Sequence, residues 1–265
     1  MFYTAAYIYP NTLALYIISG LLGAASSLIW LAQGIAILHN STDATLNRNY
    51  SLFFVIFQVS FLISNAYIYV SFGSIDEFIT ETMLILLGGG FLGLMLLPFI
   101  SVPSTRGGTL AKPGDMIRAA PGIATRTEFL YLIPAFVYLG LETCFIFGPF
   151  PSAISSMKLL GDNPHQLVGL IGLIMSCGKV AFGLFSMKFG ADASKMAILG
   201  FIGSSVAYYI SFIYIPTDAI MHDTYDFSYM RPNLTLLCIA AFFLGAADVC
   251  FFTTTFRFEW LILNS

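Results

Sequence analysis

Three ionisable side chains stand inside otherwise apolar stretches: Glu142, Lys179 and Asp248. A charge at the bilayer centre costs roughly 2.5–3.5 kcal/mol on insertion scales, so each is expected to face a protein interior and to hold a partner. Two carboxyls and one amine at membrane depth can lock helices together as an ion pair, or they can relay a proton or an ion. Three neutral polar residues, Gln33, Gln58 and Asn65, share the same kind of surroundings. Hydrogen bonding between helices or the lining of a polar cavity would account for them. No Ser/His/Asp, Cys/His or paired-carboxylate arrangement emerges. His39, His165 and His222 fall in separate loops without metal-ligand spacing. No catalytic residue, metal site or cofactor is therefore expected, and the chain does not read as an enzyme.

The elements that must hold these residues are helices. Only 9% of the residues are charged, against about 25% in a soluble domain. The charges gather in the gaps between seven apolar runs, at Thr12–Leu38, Tyr50–Gly73, Met83–Val102, Phe129–Ser152, Leu167–Phe189, Met196–Ile215 and Leu234–Thr255. Each run is close to the ~20 residues that cross a ~30 Å hydrocarbon core. Backbone polar groups find no water there, which makes the helix obligatory. The expectation is an all-α, multi-pass transmembrane bundle of about seven helices, with the lipid bilayer as its surroundings.

Helix geometry then ranks the pairings. Lys179 lies twelve residues into its run and Asp248 fourteen into its own, roughly 18 and 21 Å below the same face at ~1.5 Å per residue. Glu142 enters from the opposite face and reaches roughly 10 Å from that first one. Lys179–Asp248 matches best in depth. Gly172, Ser176, Lys179, Gly183 and Ser186 recur at steps of three and four, as do Ala241, Gly245 and Asp248. Such stripes let helices approach closely. Gly20, Gly23, Ser27 and Gly34 read as another packing seam.

Eight of the eleven Lys and Arg residues occupy one set of connections, only Lys158 and Arg231 occupy the other, and Lys179 is within a run. The positive-inside rule places residue 1 outside and the basic linker 103–128 in the cytosol. That linker carries Pro103, Pro113, Pro121 and Gly107–Gly108, so it reads as irregular. It divides the chain into 1–102 with three spans and 129–255 with four, followed by the tail 256–265. The division suggests a two-halved bundle missing pieces at both ends. Cys144, Cys177, Cys238 and Cys250 all fall within spans and read as reduced packing thiols. No basic cluster suggests nucleic acid, and no basic n-region precedes the first run, so no cleavable signal peptide is expected.

The segments "YIISGLLGAASSLIWLAQG" (16–34), "NRNYSLFFVIFQVSFLISNAYIYV" (47–70), "YLGLETCFIFG" (138–148), "GLIGLIMSCGKVAFGLFSMKFG" (169–190) and "FFLGAADVCF" (242–251), in that order, carry a family resemblance. Together they resemble the ion-channel-regulator family of the uncoordinated type, the UNC ninety-three-like branch of the major facilitator superfamily, and within it the orphan facilitator-domain members. The resemblance implies twelve helices in two halves with cytosolic termini, of which this chain would hold the fourth to the tenth. Members tend to carry an acidic residue at the position of Lys179, so the chain departs from the pattern there.

The resemblance implies a regulator or accessory protein of a membrane channel or receptor, with that channel or receptor as partner. The facilitator architecture offers an alternative, a secondary transporter of a small solute coupled through Glu142, Lys179 or Asp248. A third reading is a partial product without activity of its own. The topology is testable directly. Leu110→Cys and Thr224→Cys are expected to react with an impermeant thiol reagent from opposite sides of the membrane; reaction of both from one side refutes the orientation.

Overall fold

The computed structural model describes residues 6, 11–42, 45–71, 75–96, 118, 122, 125–161, 163–189 and 193–264. Eight α-helices carry the described chain: α1 (Thr12–His39), α2 (Leu46–Ser71), α3 (Ile75–Leu96), α4 (Thr127–Phe147), α5 (Pro149–Ser156), α6 (Pro164–Phe189), α7 (Ala193–Tyr214) and α8 (Leu234–Asn264). Short 3-10 turns at Lys158–Leu160 and Thr217–Ile220 complete them. The all-helical expectation holds.

Six segments among the described residues are long and apolar enough to cross a membrane: Thr12–Ile37, Arg48–Ser71, Phe129–Ser156, Pro164–Lys188, Ser194–Tyr214 and Leu234–Thr255. The chain is an integral, multi-pass membrane protein. The remaining expected span, Met83–Val102, is a shorter apolar stretch at Glu81–Leu96, and its last residues lie outside the described ones. Most of the 103–128 linker lies outside them too. His165 belongs to the first turn of α6 rather than to a loop, and His39 closes α1.

The described residues divide into two compact units. One holds α1 and α3; the other holds α2 and α4–α8. In the first, a Cβ placed at Gly20 or Gly23 would meet no described atom within 4 Å. At these two positions the expected seam on α1 meets no described neighbour.

The second unit is organised around α8. Its first half, Leu234–Cys250, is a nearly continuous run of small and aliphatic residues, and it packs on α7, α6 and α4. Asn233 precedes it, and its side-chain Oδ1 accepts the backbone N–H of Leu236 at 3.2 Å, which caps the helix. The core gathers Ile146, Phe150, Ile154, Met157, Ile171, Met175, Leu237 and Leu244 around this end of α8. Two glycines let α6 and α8 touch backbone to backbone. A Cβ at Gly178 would collide with the carbonyl oxygen of Phe242, and one at Gly245 with that of Met175. The α6 stripe runs between two helices. Gly172 and Gly183 abut Asn65 and Val55 of α2, Lys179 of the same stripe reaches Asp248 of α8, and Gly178, outside the stripe, also meets α8.

The fourth expected span is broken. α4 ends at Phe147, Gly148 leaves helical geometry at φ −114° and ψ −93°, and α5 restarts at Pro149. Proline supplies no N–H and suits a first helical turn, so the Gly148-Pro149 pair ends one helix and begins the next. Beyond α5, Thr224 donates its backbone N–H to Ser156 O at 2.9 Å and accepts that of Lys158 at 3.0 Å. The Lys158 ammonium also pairs with Asp223 at 2.9 Å. Thr224 is buried in this bridge while Tyr225 is exposed, so Tyr225→Cys is the better reporter on that side.

The glycine contacts predict opposite outcomes for one substitution. Gly245→Ala drives a methyl into the α6 backbone and is expected to destabilise the protein by about 1–3 kcal/mol, the range for overpacking. Gly20→Ala meets open space and gains helix propensity, so it is expected to be neutral or stabilising. Melting curves in detergent compare the two, and equal losses at both positions would contradict the seam.

Candidate functional site

Lys179 and Asp248 occupy matching positions on neighbouring helices. Lys179 is fifteen residues after Pro164 at the start of α6, and Asp248 is fourteen after Leu234 at the start of α8. The two helices run in the same direction, so offsets one residue apart put the two side chains within about 1.5 Å in depth. The Lys179 Nζ lies 2.8 Å from Asp248 Oδ2, with the two side chains 6% and 5% exposed. The pairing expected from depth is present.

The ammonium has a second set of neighbours. Its nitrogen sits 5.7 Å from the ring centroid of Phe61 on α2 and 5.4 Å from that of Phe147 at the end of α4. Both are within the ~6 Å at which a ring face attracts a cation, an attraction worth about 2 kcal/mol when water is excluded. The two rings also pack against one another at 5.9 Å. Neither phenylalanine is singled out by its sequence, since the chain has 26 of them.

Lys179 also lines a cavity of about 190 Å³. Its walls include Phe61 and Asn65 of α2, Phe147 beside the α4–α5 break, and Val168, Met175 and Ser176 of α6. Two of the polar liners have already spent a donor on their own helix. Asn65 Nδ2 donates to Phe61 O at 2.9 Å, and Ser176 Oγ donates to Gly172 O at 2.8 Å. An ammonium has three donors, and Asp248 Oδ2 takes one.

Glu142 is 1% exposed on α4. Neither of its carboxyl oxygens closes a hydrogen bond with a described residue. The polar groups facing it are Tyr138 one turn earlier, Asp248 and Lys179. Tyr138 in turn faces Ser204 and Tyr208 of α7. A second carboxyl thus stands beside the ion pair, with the Tyr138 hydroxyl facing it and no hydrogen bond closed to a described residue.

The neutral polar residues divide. Gln58 is buried on the face of α2 that also carries Phe54, Phe61 and Asn65, and its Oε1 has no hydrogen-bond partner among the described residues. Gln33 belongs to α1, in the other compact unit. The four cysteines are free thiols, with Cys144 and Cys177 exposed and Cys250 buried. No group of three or more His, Cys, Asp or Glu side chains suited to a metal occurs among the described residues.

A buried ion pair is asymmetric in its energetics. Removing one partner leaves an uncompensated charge and costs about 3–5 kcal/mol, whereas replacing both with apolar residues is often neutral or stabilising. Asp248→Ala and Lys179→Ala are each expected to lower the melting temperature in detergent sharply. Lys179→Met with Asp248→Leu is expected to recover most of the loss. Additive losses in the double variant would show that the pair is not coupled.

Residues 1–259 match the family model described as "Ion channel regulatory protein UNC-93". The chain is 30% identical over 282 aligned positions to the UNC93-like protein MFSD11 of Xenopus laevis, and 28% identical to that of Xenopus tropicalis. Both alignments cover 95% of this chain and 63% of the relative. The chain thus spans under two thirds of the length of these curated relatives. No solved structure matches it significantly.

Proposed function

For a chain that belongs to the UNC-93 family, in the major facilitator superfamily, we propose a solute-binding role in the manner of a secondary transporter, with the Lys179–Asp248 pair as its ligand-responsive centre. One observation carries the reading: a mid-helix ammonium with an aromatic surround opens onto a cavity of about 190 Å³. Secondary-transporter sites lie near the bilayer midplane at the interface of structural repeats, typically beside discontinuous helices. The break at Gly148 borders this cavity, which agrees with such a site. On this reading 1–102 and 129–255 are parts of the two halves joined by a cytosolic 103–128 linker. Uptake of the bound solute is part of the same proposal.

A second reading keeps the printed description of the matching family: an accessory protein that regulates a membrane channel or receptor. The two readings are compatible, because a ligand that shifts the ion pair can bias a partner. Neither needs catalysis.

Ligand binding stabilises the folded state in proportion to ligand excess over Kd. Detergent-solubilised protein is expected to melt at higher temperature with at least one small solute from a panel of anions, cations and neutral compounds. Val168→Trp, which fills the cavity, is expected to abolish that shift. Absence of any shift, together with stable co-purification of a membrane channel or receptor, would reject the solute reading in favour of the regulator.

A further inference from the structure

We propose that the cavity takes a small monoanionic carboxylate with an apolar body, and takes it together with one proton. This inference rests on the solute-binding reading and names its substrate class and its coupling.

The size comes from the cavity. At roughly 30 Å³ per water in the liquid, 190 Å³ is the volume of about six waters. A compact acid with a short chain or a single ring is of that order. The wall is apolar except for Asn65, Ser176 and Lys179. The body of the ligand would therefore lie against Phe61, Phe147 and Met175, and its head would go to the ammonium.

The sign of the charge comes from Lys179. Aromatic rings on their own attract cations, but here the protein's own ammonium already holds the ring-lined position. A second cation would meet like charge at short range in a place that water does not screen. An anion meets the donors of Lys179 that Asp248 leaves free.

The proton follows from charge bookkeeping. With Glu142 counted as the neutral acid, Lys179⁺ and Asp248⁻ cancel. A carboxylate that binds the free donors of the ammonium brings one further negative charge into a buried site, and Lys179 alone cannot balance both. Uncompensated buried charge is expensive. One proton from solution restores neutrality: it forms an O–H bond on Asp248, the ionised member of the Asp248–Glu142 carboxyl pair, and no other bond is made or broken. The pair is surrounded by Tyr138 on α4, Lys179 on α6, Tyr208 on α7 and Cys250 on α8. Asp248 is the acceptor whose protonation removes negative charge. Glu142 stands beside it as a second carboxyl, with no hydrogen bond to a described residue.

The test uses the 265-residue chain in lipid nanodiscs, with sodium benzoate, benzylamine and benzyl alcohol as probes. Benzoate is expected to bind between about pH 5.5 and 7.5, with an affinity that falls about tenfold per unit rise in pH. A pH indicator in weak buffer is expected to report uptake of one proton per benzoate bound. Asp248→Asn, which removes the charge that must be neutralised, is expected to bind benzoate without proton uptake and with little pH dependence. The wild-type titration decides the matter should that variant not fold. Benzoate binding with no proton uptake overturns the coupling. Preference for benzylamine or benzyl alcohol overturns the anion class and leaves the solute site standing. Binding of none of the three, with no shift from any solute in the melting panel, overturns both.

Discussion

An ammonium placed halfway along a membrane helix must find a counter-charge, and much of the second compact unit is arranged to supply one. Lys179 can reach Asp248 only if α6 and α8 share a register and their backbones come close. Gly178 and Gly245 provide the closeness by leaving room for the opposing carbonyl oxygens. The capped start of α8 at Asn233 and the aliphatic cluster around Leu237 and Leu244 hold the register. In hydrocarbon, where lipid tails are as apolar as leucine, helix packing draws on such close contacts rather than on the expulsion of water.

That arrangement contributes little net stability by itself. Desolvation of two buried charges offsets most or all of their attraction, and well-packed apolar residues of similar size would serve the fold as well. A pair of this kind is more informative about what the site does than about how the fold survives. Glu142 strengthens the point. A structural ion pair needs one carboxyl, yet a second stands beside it, buried and without a hydrogen bond to a described residue. Unsatisfied buried polar groups are rare in native proteins, and a role in function is one physical reason for a fold to keep one.

Much of this was legible in the sequence. Apolar run length identified the helices, because the bilayer sets a length that few other constraints impose. Counting residues from the span ends found the Lys179–Asp248 pair, because rise per residue is nearly constant and both helices enter from one side. Other features were not legible. The Gly148–Pro149 break fell inside an unbroken apolar run, where hydropathy carries no mark of a change of direction. The Gly178 contact lay outside the obvious small-residue stripe, since a stripe does not say which neighbour it meets. Phe61 and Phe147 could not be picked from so many phenylalanines. Their role depends on the fold bringing α2 and the end of α4 to the same ammonium. Gln33, similar in type to Gln58 and Asn65, belongs to α1 and the other compact unit.

The contact between α2 and α6 forms one wall of the cavity beside Lys179. The two helices run antiparallel, and their contacts pair Tyr69 with Gly169, Asn65 with Gly172 and Val55 with Gly183. One side of each contact is a glycine, and an α2 side chain fills the space a Cβ would take: Asn65 at Gly172 and Val55 at Gly183. Side chains of α6 also reach across, since the Lys179 ammonium lies over the Phe61 ring and Gln166 Nε2 donates to Tyr69 O at 3.0 Å. Interdigitated surfaces resist sliding, because each side chain must leave its hole. This contact therefore holds Phe61 and Asn65 against the ammonium, and the aromatic side of the cavity depends on it as the ion pair depends on the α6–α8 contact.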